Sequence, residues 1–222
     1  MHEARNRTIR ETAAMLDAHG FRSGHARPDA LAPYLPFRHF DTPDECVVFA
    51  SGSVDGVNAE LYEYDSSSRD SDGNTSYSTT LLACLHHPWV TGGASITLDW
   101  KEWSTLAAAI DAAMWFPPFL FVKAIQMYAE SRDPDHVLGH PEFDRLYHVH
   151  APSLDHASRA IPPALREFLA RYAFKGTVEL RPGLILYALH SARFTIEGVQ
   201  RTMSFARGFL SSFQPPHAHP MR

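Results

Sequence analysis

One short segment, residues 184–189 (Leu-Ile-Leu-Tyr-Ala-Leu), constrains the fold of this chain more than any other. A strand directs alternate side chains to opposite faces, so an unbroken apolar run needs cover on both faces of its sheet. Pro182-Gly183 precedes this run and is typical of a type II turn, which makes 177–181 the neighbouring strand. The sequence therefore predicts a layered domain with 184–189 near the centre of a sheet.

Alternating apolar and polar residues predict further strands in the first half of the chain, with Asp55-Gly56 as a hairpin turn and 65–76 as a polar loop. These strands are 46–53, 57–64, 77–85 and 95–100. The second half is predicted as strand, helix, strand, strand and helix, with the elements 145–151, 154–172 (divided at Pro162-Pro163), 177–181, 184–189 and 196–213. Helical spacing also predicts a helix over 9–19, stopped by Gly20, and two apolar helices within 104–131.

These elements predict an α+β fold with an antiparallel sheet, a meander in the first half, β-α-β-β-α in the second, and helices packed against the sheet. A length of 222 residues is expected to form a single domain, 1–222. No flexible linker divides it, although 9–131 and 132–213 form two recognisable halves. Residues 214–222 are predicted to be a loose tail.

Composition and charge exclude several functional classes. A formal net charge of −5 provides no basic field for nucleic acid. Two cysteines cannot build a disulfide framework, and they are expected to be buried free thiols in a reducing compartment. The first residues lack the apolar core of a signal peptide. The longest apolar stretch, 106–122, is interrupted by Asp111 and Pro117-Pro118, which argues against a transmembrane segment. We therefore expect a cytoplasmic protein.

Histidines form the sharpest cluster of potential ligands. His136, His140, His148 and His150 lie within fifteen residues of each other, among acidic residues. His148 and His150 point to the same face if 145–151 is a strand, as a two-histidine site for zinc or another divalent metal requires. The alternative is that histidines happen to occupy a polar-facing strand row. We favour this alternative, because metal-like spacing often arises by chance, and expect no cofactor.

A second feature of interest is the most apolar segment, residues 114–121 (Met-Trp-Phe-Pro-Pro-Phe-Leu-Phe). If it is functional, it forms a surface patch that binds a partner protein or a membrane surface. The residues of this patch would be Trp115, Phe116, Phe119 and Leu120. The alternative is core packing at a corner between two helices, which is the more common fate of such segments.

The order of motifs resembles an uncharacterised bacterial domain family, common in actinobacteria and other GC-rich genomes. The resemblance rests on Gly20-Phe21, Pro36-Phe37, Gly52, the strand 61–64 (Leu-Tyr-Glu-Tyr) and the segment 142–149 (Glu-Phe-Asp-Arg-Leu-Tyr-His-Val). It implies a domain that often follows transmembrane helices and that has no assigned activity. We expect no such helices in this chain, and it carries histidines where relatives place arginine or another polar residue.

No catalytic signature occurs: there is no Gly-x-Ser-x-Gly elbow, no Ser-x-x-Lys, no P-loop and no Gly-x-Gly-x-x-Gly. We therefore expect a non-catalytic binding or scaffolding domain that acts through protein–protein contacts or self-association. One alternative is a histidine-dependent metal-binding protein or metal-dependent hydrolase. Another is a peripheral membrane protein, which the membrane-attached relatives imply.

Overall fold

The computed structural model describes residues 2–24, 45–69, 75–88, 96–101, 135–189 and 192–213. The helices are α1 (His2–Ala18), α2 (Pro141–Leu146), α3 (Leu154–Ala160), α4 (Pro163–Tyr172) and α5 (Ile196–Phe213). The strands are β1 (Arg22–Gly24), β2 (Glu45–Val54), β3 (Val57–Arg69), β4 (Thr75–His86), β5 (Ile96–Trp100), β6 (Tyr147–His150), β7 (Gly176–Arg181) and β8 (Leu184–Leu189).

The strands form one eight-stranded antiparallel sheet in the order β1-β2-β3-β4-β8-β7-β5-β6, which confirms the α+β fold. Strand β8 lies near the middle, between β4 and β7, and almost all of it is buried, as its apolar sequence predicts. The meander predicted for the first half is confirmed only for β2 to β4, and the short β1, which the sequence does not predict, pairs with β2. The expectation that β5 continues it is wrong, because β5 pairs with β6 and β7 from the second half.

One face of the sheet carries the main core, on which the helices pack. Two buried tyrosines fix helices to this face, because the hydroxyl of Tyr187 donates to the Thr202 carbonyl of α5 and that of Tyr147 donates to the Leu169 carbonyl of α4. The ring of Phe205 lies at the centre of an aromatic cluster, 4.2 Å between ring centres from Phe174. The main core therefore lies between this face and the helices.

A buried ion pair also ties the helices to the sheet. The carboxylate of Glu63, on β3, is 1% exposed and pairs with the guanidinium of Arg5 on α1. The same carboxylate accepts a hydrogen bond from the Phe194 amide, just before α5, and Arg5 donates to the Phe194 carbonyl at 3.3 Å. Burial and the nearby positive charge of Arg193 lower the pKa of Arg5. Three elements that are distant in sequence thus meet at one carboxylate.

Several local predictions are confirmed, and others are wrong in their limits. Gly20, at φ +82°, ends α1, and the Phe21 amide turns back to the Leu16 carbonyl at 3.0 Å. The predicted helix over 9–19 begins earlier, at residue 2. The predicted strand over 145–151 is shorter, because 145 and 146 belong to α2. The predicted loop over 65–76 is wrong at both ends, where β3 and β4 continue to pair. The predicted helices within 104–131 lie outside the described residues.

Candidate functional site

A polar patch occupies the second face of the sheet where β6, β5 and β7 lie side by side. We use "polar patch" for six residues of these strands: Thr97, Asp99, His148, His150, Thr177 and Glu179. Each of the three strands alternates these residues with core residues such as Leu98 and Val178, so the period of two places the six on one face. All but His148 are buried.

The strand register arranges the six residues in two rows. In the first row Asp99 lies directly between His148 on β6 and Thr177 on β7. In the second row Thr97 lies between His150 and Glu179. Further along the same face, on β8, β4 and β3, the patch gives way to an apolar cluster: Leu186, Ala188, Leu82, Cys84, Tyr62 and Tyr64.

Hydrogen bonds join the acidic members of the patch to neighbours on the same sheet. The hydroxyl of Thr177 donates to Oδ1 of Asp99 at 2.9 Å, and both side chains are buried. Glu179 accepts two bonds from Arg181, at 2.9 Å from Nε and 3.1 Å from Nη2, in the paired geometry that suits guanidinium and carboxylate. Both carboxylates thereby have polar partners on β7.

His148 is held by Asp135, which precedes α2 in the chain. The Nδ1 atom of His148 lies 2.7 Å from Oδ2 of Asp135, and the other carboxylate oxygen accepts from the Val149 amide at 2.8 Å. Burial works to raise the pKa of Asp135, but these two hydrogen bonds and the positive charges of His148 and His150 outweigh it and lower the pKa. An ionised carboxylate only accepts, so Nδ1 of His148 is the donor and carries the proton.

The two strand histidines are close together, as their spacing predicts. The rings of His148 and His150 stack with 5.9 Å between ring centres and 28° between planes. This confirms that both point to one face of a strand. The placement is consistent with either interpretation of the histidine cluster, a ligand pair or a polar row.

The other two histidines of the cluster hold local backbone structure. His136 lies beside β6, where its ring Nε2 is 2.8 Å from the Ala151 carbonyl and therefore donates to it. His140 caps α2, because its Nδ1 accepts a hydrogen bond from the Phe143 amide at 3.2 Å. Within the residues that the structure describes, no group of three or more His, Cys, Asp or Glu side chains is arranged to hold a metal ion. Zinc or another divalent metal stays a prediction.

Burial disfavours ionisation of the Cys84 thiol, and with it thiolate chemistry. Its side chain lies in the apolar cluster of the second face, and burial raises the pKa of the thiol well above its ordinary value. The nearby charge of Glu60 acts in the same direction. The neutral thiol therefore packs as a small apolar group, as the sequence predicts.

The predicted interface residues Trp115, Phe116, Phe119 and Leu120 lie outside the described residues, so the apolar segment stays a prediction. Within the described chain, large exposed apolar side chains are few and scattered: Val137, Leu154, Tyr172 and Ile196. None of the described helices is both long enough and apolar enough to cross a membrane.

Sequence reasoning missed four members of the polar patch. Thr97, Asp99, Thr177 and Glu179 each alternate with buried apolar residues, a signal that predicts a polar strand face. That signal does not say which strands are neighbours, so it gives no reason to place Asp99 beside His148. No local signal at all identifies Asp135 as the partner of His148.

Comparisons with known proteins identify a shared fold. No protein-family model and no curated protein matches the chain. The crystal structure of the mycobacterial trehalose monomycolate transport factor A, TtfA, is similar to it with a TM-score of 0.53 and 15% identity. The match covers 95% of this chain and 97% of that one. The chain thus has the overall fold of a transport factor, with little of its sequence.

Proposed function

We propose that this protein is a non-catalytic binding or scaffolding domain that acts through contacts with another protein chain. The observation that carries the proposal is the fold likeness to a transport factor, which extends over nearly the full length of both proteins. Because the identity is 15%, the ligand of that protein is not transferred to this chain. What the proposal takes from the likeness is a non-catalytic role, with which a transport factor is compatible.

The polar patch supports a structural use of its charged groups. The acid–hydroxyl pair of Asp99 and Thr177, the acid–guanidinium pair of Glu179 and Arg181, and the Asp135–His148 pair all join residues of one sheet region. Such pairs satisfy polar groups at the sheet surface and in its interior. This use fits a rigid domain that presents surfaces to a partner.

Co-purification from the source cells tests the proposal. The tagged protein is expressed at native level, crosslinked in the cells, purified and quantified by mass spectrometry. We expect one or more proteins, or a second copy, to be enriched in near-stoichiometric amount. If only the uncrosslinked monomer is recovered, the proposal is wrong.

A pair of variants tests the predicted apolar interface at the same time. Phe119→Ser combined with Leu120→Ser should abolish the enrichment if that segment contacts the partner, while Val137→Ser, at a site 71% exposed, should leave it intact. Enrichment by both variants would place the contact elsewhere. If circular dichroism shows that the double variant is unfolded, the apolar segment belongs to the core. The proposed function is then tested by comparing the proteins recovered with tagged wild type and those recovered from an untagged strain.

A second candidate function is metal binding, and one observation favours it. Metal-binding histidines commonly donate their other ring N–H to a carboxylate, which is the arrangement of His148 and Asp135. This geometry directs Nε2 of His148 away from the carboxylate. Together with the stacked ring of His150, it would supply two nitrogen ligands of the kind that zinc prefers.

Elemental analysis of untagged protein separates the two candidates. About one zinc per chain, lost in a His148→Ala, His150→Ala double variant, would favour metal binding. The matched control is His19→Ala, which changes an exposed histidine just after α1 whose Nδ1 lies 2.7 Å from the Met15 carbonyl oxygen. Protein from zinc-replete medium that holds no stoichiometric metal would exclude this second function.

A further inference from the structure

One flank of the β3–β4 hairpin has no neighbouring strand within the described chain. Strands β3 and β4 pair continuously from Asn58↔His86 to Arg69↔Thr75, with no shift of register. Strand β8 covers the other side of β4 only from Leu82 to His86. Residues 75–81 of β4 therefore extend past β8 over about 20 Å, at 3.4 Å per residue.

The direction of the backbone groups on this flank follows from a neighbouring hydrogen bond. The His87 amide donates to the Gly183 carbonyl at 3.0 Å, on the β8 side of β4. In a strand the N–H and C=O of one residue point to the same side, and the side alternates with each residue. Because the register has no bulge, the amides and carbonyls of Thr75, Tyr77 and Thr79 point outward, away from β3.

Among the described residues, this flank lacks the features that normally protect a sheet edge. The two outermost strands of the sheet are short: β1 has three residues and β6 has four, with Asp135 forming a bridge to His150 beside β6. The segment 75–81 (Thr-Ser-Tyr-Ser-Thr-Thr-Leu) instead has no charged residue and no proline. Uncharged strands rich in Thr and Tyr that expose backbone groups are templates for another strand.

The sequence of the flank indicates which strand would fit it. Residues 75–79 read Thr-Ser-Tyr-Ser-Thr, the same in both directions. If two copies pair antiparallel about Tyr77, Thr75 lies opposite Thr79, Ser76 opposite Ser78, and Tyr77 opposite itself. The outward groups of Thr75, Tyr77 and Thr79 then face those of the second copy and form six hydrogen bonds. Pairing identical segments usually brings like charges together, which is unfavourable, but these segments carry no charge.

We propose that two copies of this chain associate through antiparallel pairing of residues 75–79 of β4, centred on Tyr77. The pairing stops there, since β8 occupies the same side of β4 from Leu82 onward. This inference rests on the proposed function as a protein-contact domain and identifies a second copy as the partner. It joins the two sheets through the free flank of β4 and involves none of the described helices.

Replacement of one amide tests the pairing. Tyr77→Pro removes an outward N–H while leaving the β3 ladder intact, and Tyr77→Val is the matched control that keeps the amide. Light scattering during size exclusion should give wild type and Tyr77→Val about twice 24.9 kDa at high concentration. Tyr77→Pro, which loses one hydrogen bond from each copy, should raise the dimer dissociation constant about tenfold or more.

Several outcomes would overturn the proposal. Wild-type protein that remains at 24.9 kDa at every concentration excludes the dimer. A dimer that Tyr77→Pro does not weaken, with unchanged circular dichroism, places the contact at another surface. If the monomeric protein still enriches a different partner from cells, this inference fails while the proposed function stands.

A crosslinking variant keeps the test valid if Tyr77→Pro fails to fold. Directly opposed residues of a hydrogen-bonded pair lie about 5.5 Å apart between Cα atoms, within the range that a disulfide spans. Tyr77→Cys should therefore form a covalent dimer on mild oxidation. Ser53→Cys, exposed on β2, and the wild type with its own two cysteines should not. Equal crosslinking in the three proteins would refute the pairing.

Discussion

Removal of the buried carboxylate at Glu63 should destabilise the whole fold. In Glu63→Ala, the Arg5 guanidinium loses its counter-charge and the Phe194 amide loses its acceptor. Breaking a buried ion pair costs roughly 3–5 kcal/mol. The Arg5 side chain is 31% exposed, so water compensates part of this, and we expect a loss of about 3 kcal/mol in the free energy of unfolding. The melting temperature should fall by roughly 6–12 °C.

Urea unfolding followed by circular dichroism measures this loss, and Glu60→Ala is its control. Glu60 is also on β3, but on the other face, where its side chain is 24% exposed and accepts from the Tyr62 hydroxyl at 3.0 Å. We expect Glu60→Ala to cost less than about 1 kcal/mol. If the two variants lose the same stability, or if Glu63→Ala loses less than about 1 kcal/mol, the ion pair does not hold these elements together.

Three further changes have defined outcomes. Gly208→Ala places a Cβ 2.2 Å from the Phe168 ring, which has to move, so thermal melts should show a loss of about 1–2 kcal/mol. Gly198→Ala should cost more than Gly208→Ala, because its Cβ meets the Arg193 carbonyl of the backbone at 2.1 Å; the opposite order would contradict the packing. Asp135→Asn tests the pH dependence. Because the pKa of Asp135 is lowered in the folded protein, its ionised carboxylate stabilises the fold at pH values above 3.8, its ordinary pKa. This stability is lost as the pH falls through the lower pKa of the folded state. Urea unfolding between about pH 2 and pH 7 should therefore show a weaker acid dependence for Asp135→Asn than for wild type; identical slopes would refute the assignment.

Local features of the fold could be predicted from the sequence because they depend on neighbouring residues. The last helix lies over 196–213 as its helical spacing predicts, and strand 184–189 follows a turn in which Gly183 has φ +72°. Both are fixed by short-range backbone geometry and by the period of apolar residues. The same holds for His148 and His150, whose common face follows from a spacing of two.

Long-range neighbours could not be predicted, and the site depends on them. Asp99 and Thr177 are 78 residues apart, yet they share a buried hydrogen bond. Nothing in the sequence around either residue specifies that β5 inserts between β6 and β7. The polar loop predicted over 65–76 is wrong at both ends for a related reason, because ladder hydrogen bonds between β3 and β4 override a composition typical of loops there. Only the first two residues of the proposed dimer contact, Thr75 and Ser76, lie in this mispredicted segment, since 77–85 is predicted as a strand.

Contact with another protein chain is tested most directly by crosslinking at native expression in the source cells, followed by sizing of the covalent species. The proposed function predicts a discrete species heavier than 24.9 kDa, composed of two copies or of this chain and a partner. Mass spectrometry of that band distinguishes the two. Recovery of the 24.9 kDa chain alone, under conditions that crosslink an established oligomer in the same cells, would contradict the proposed function.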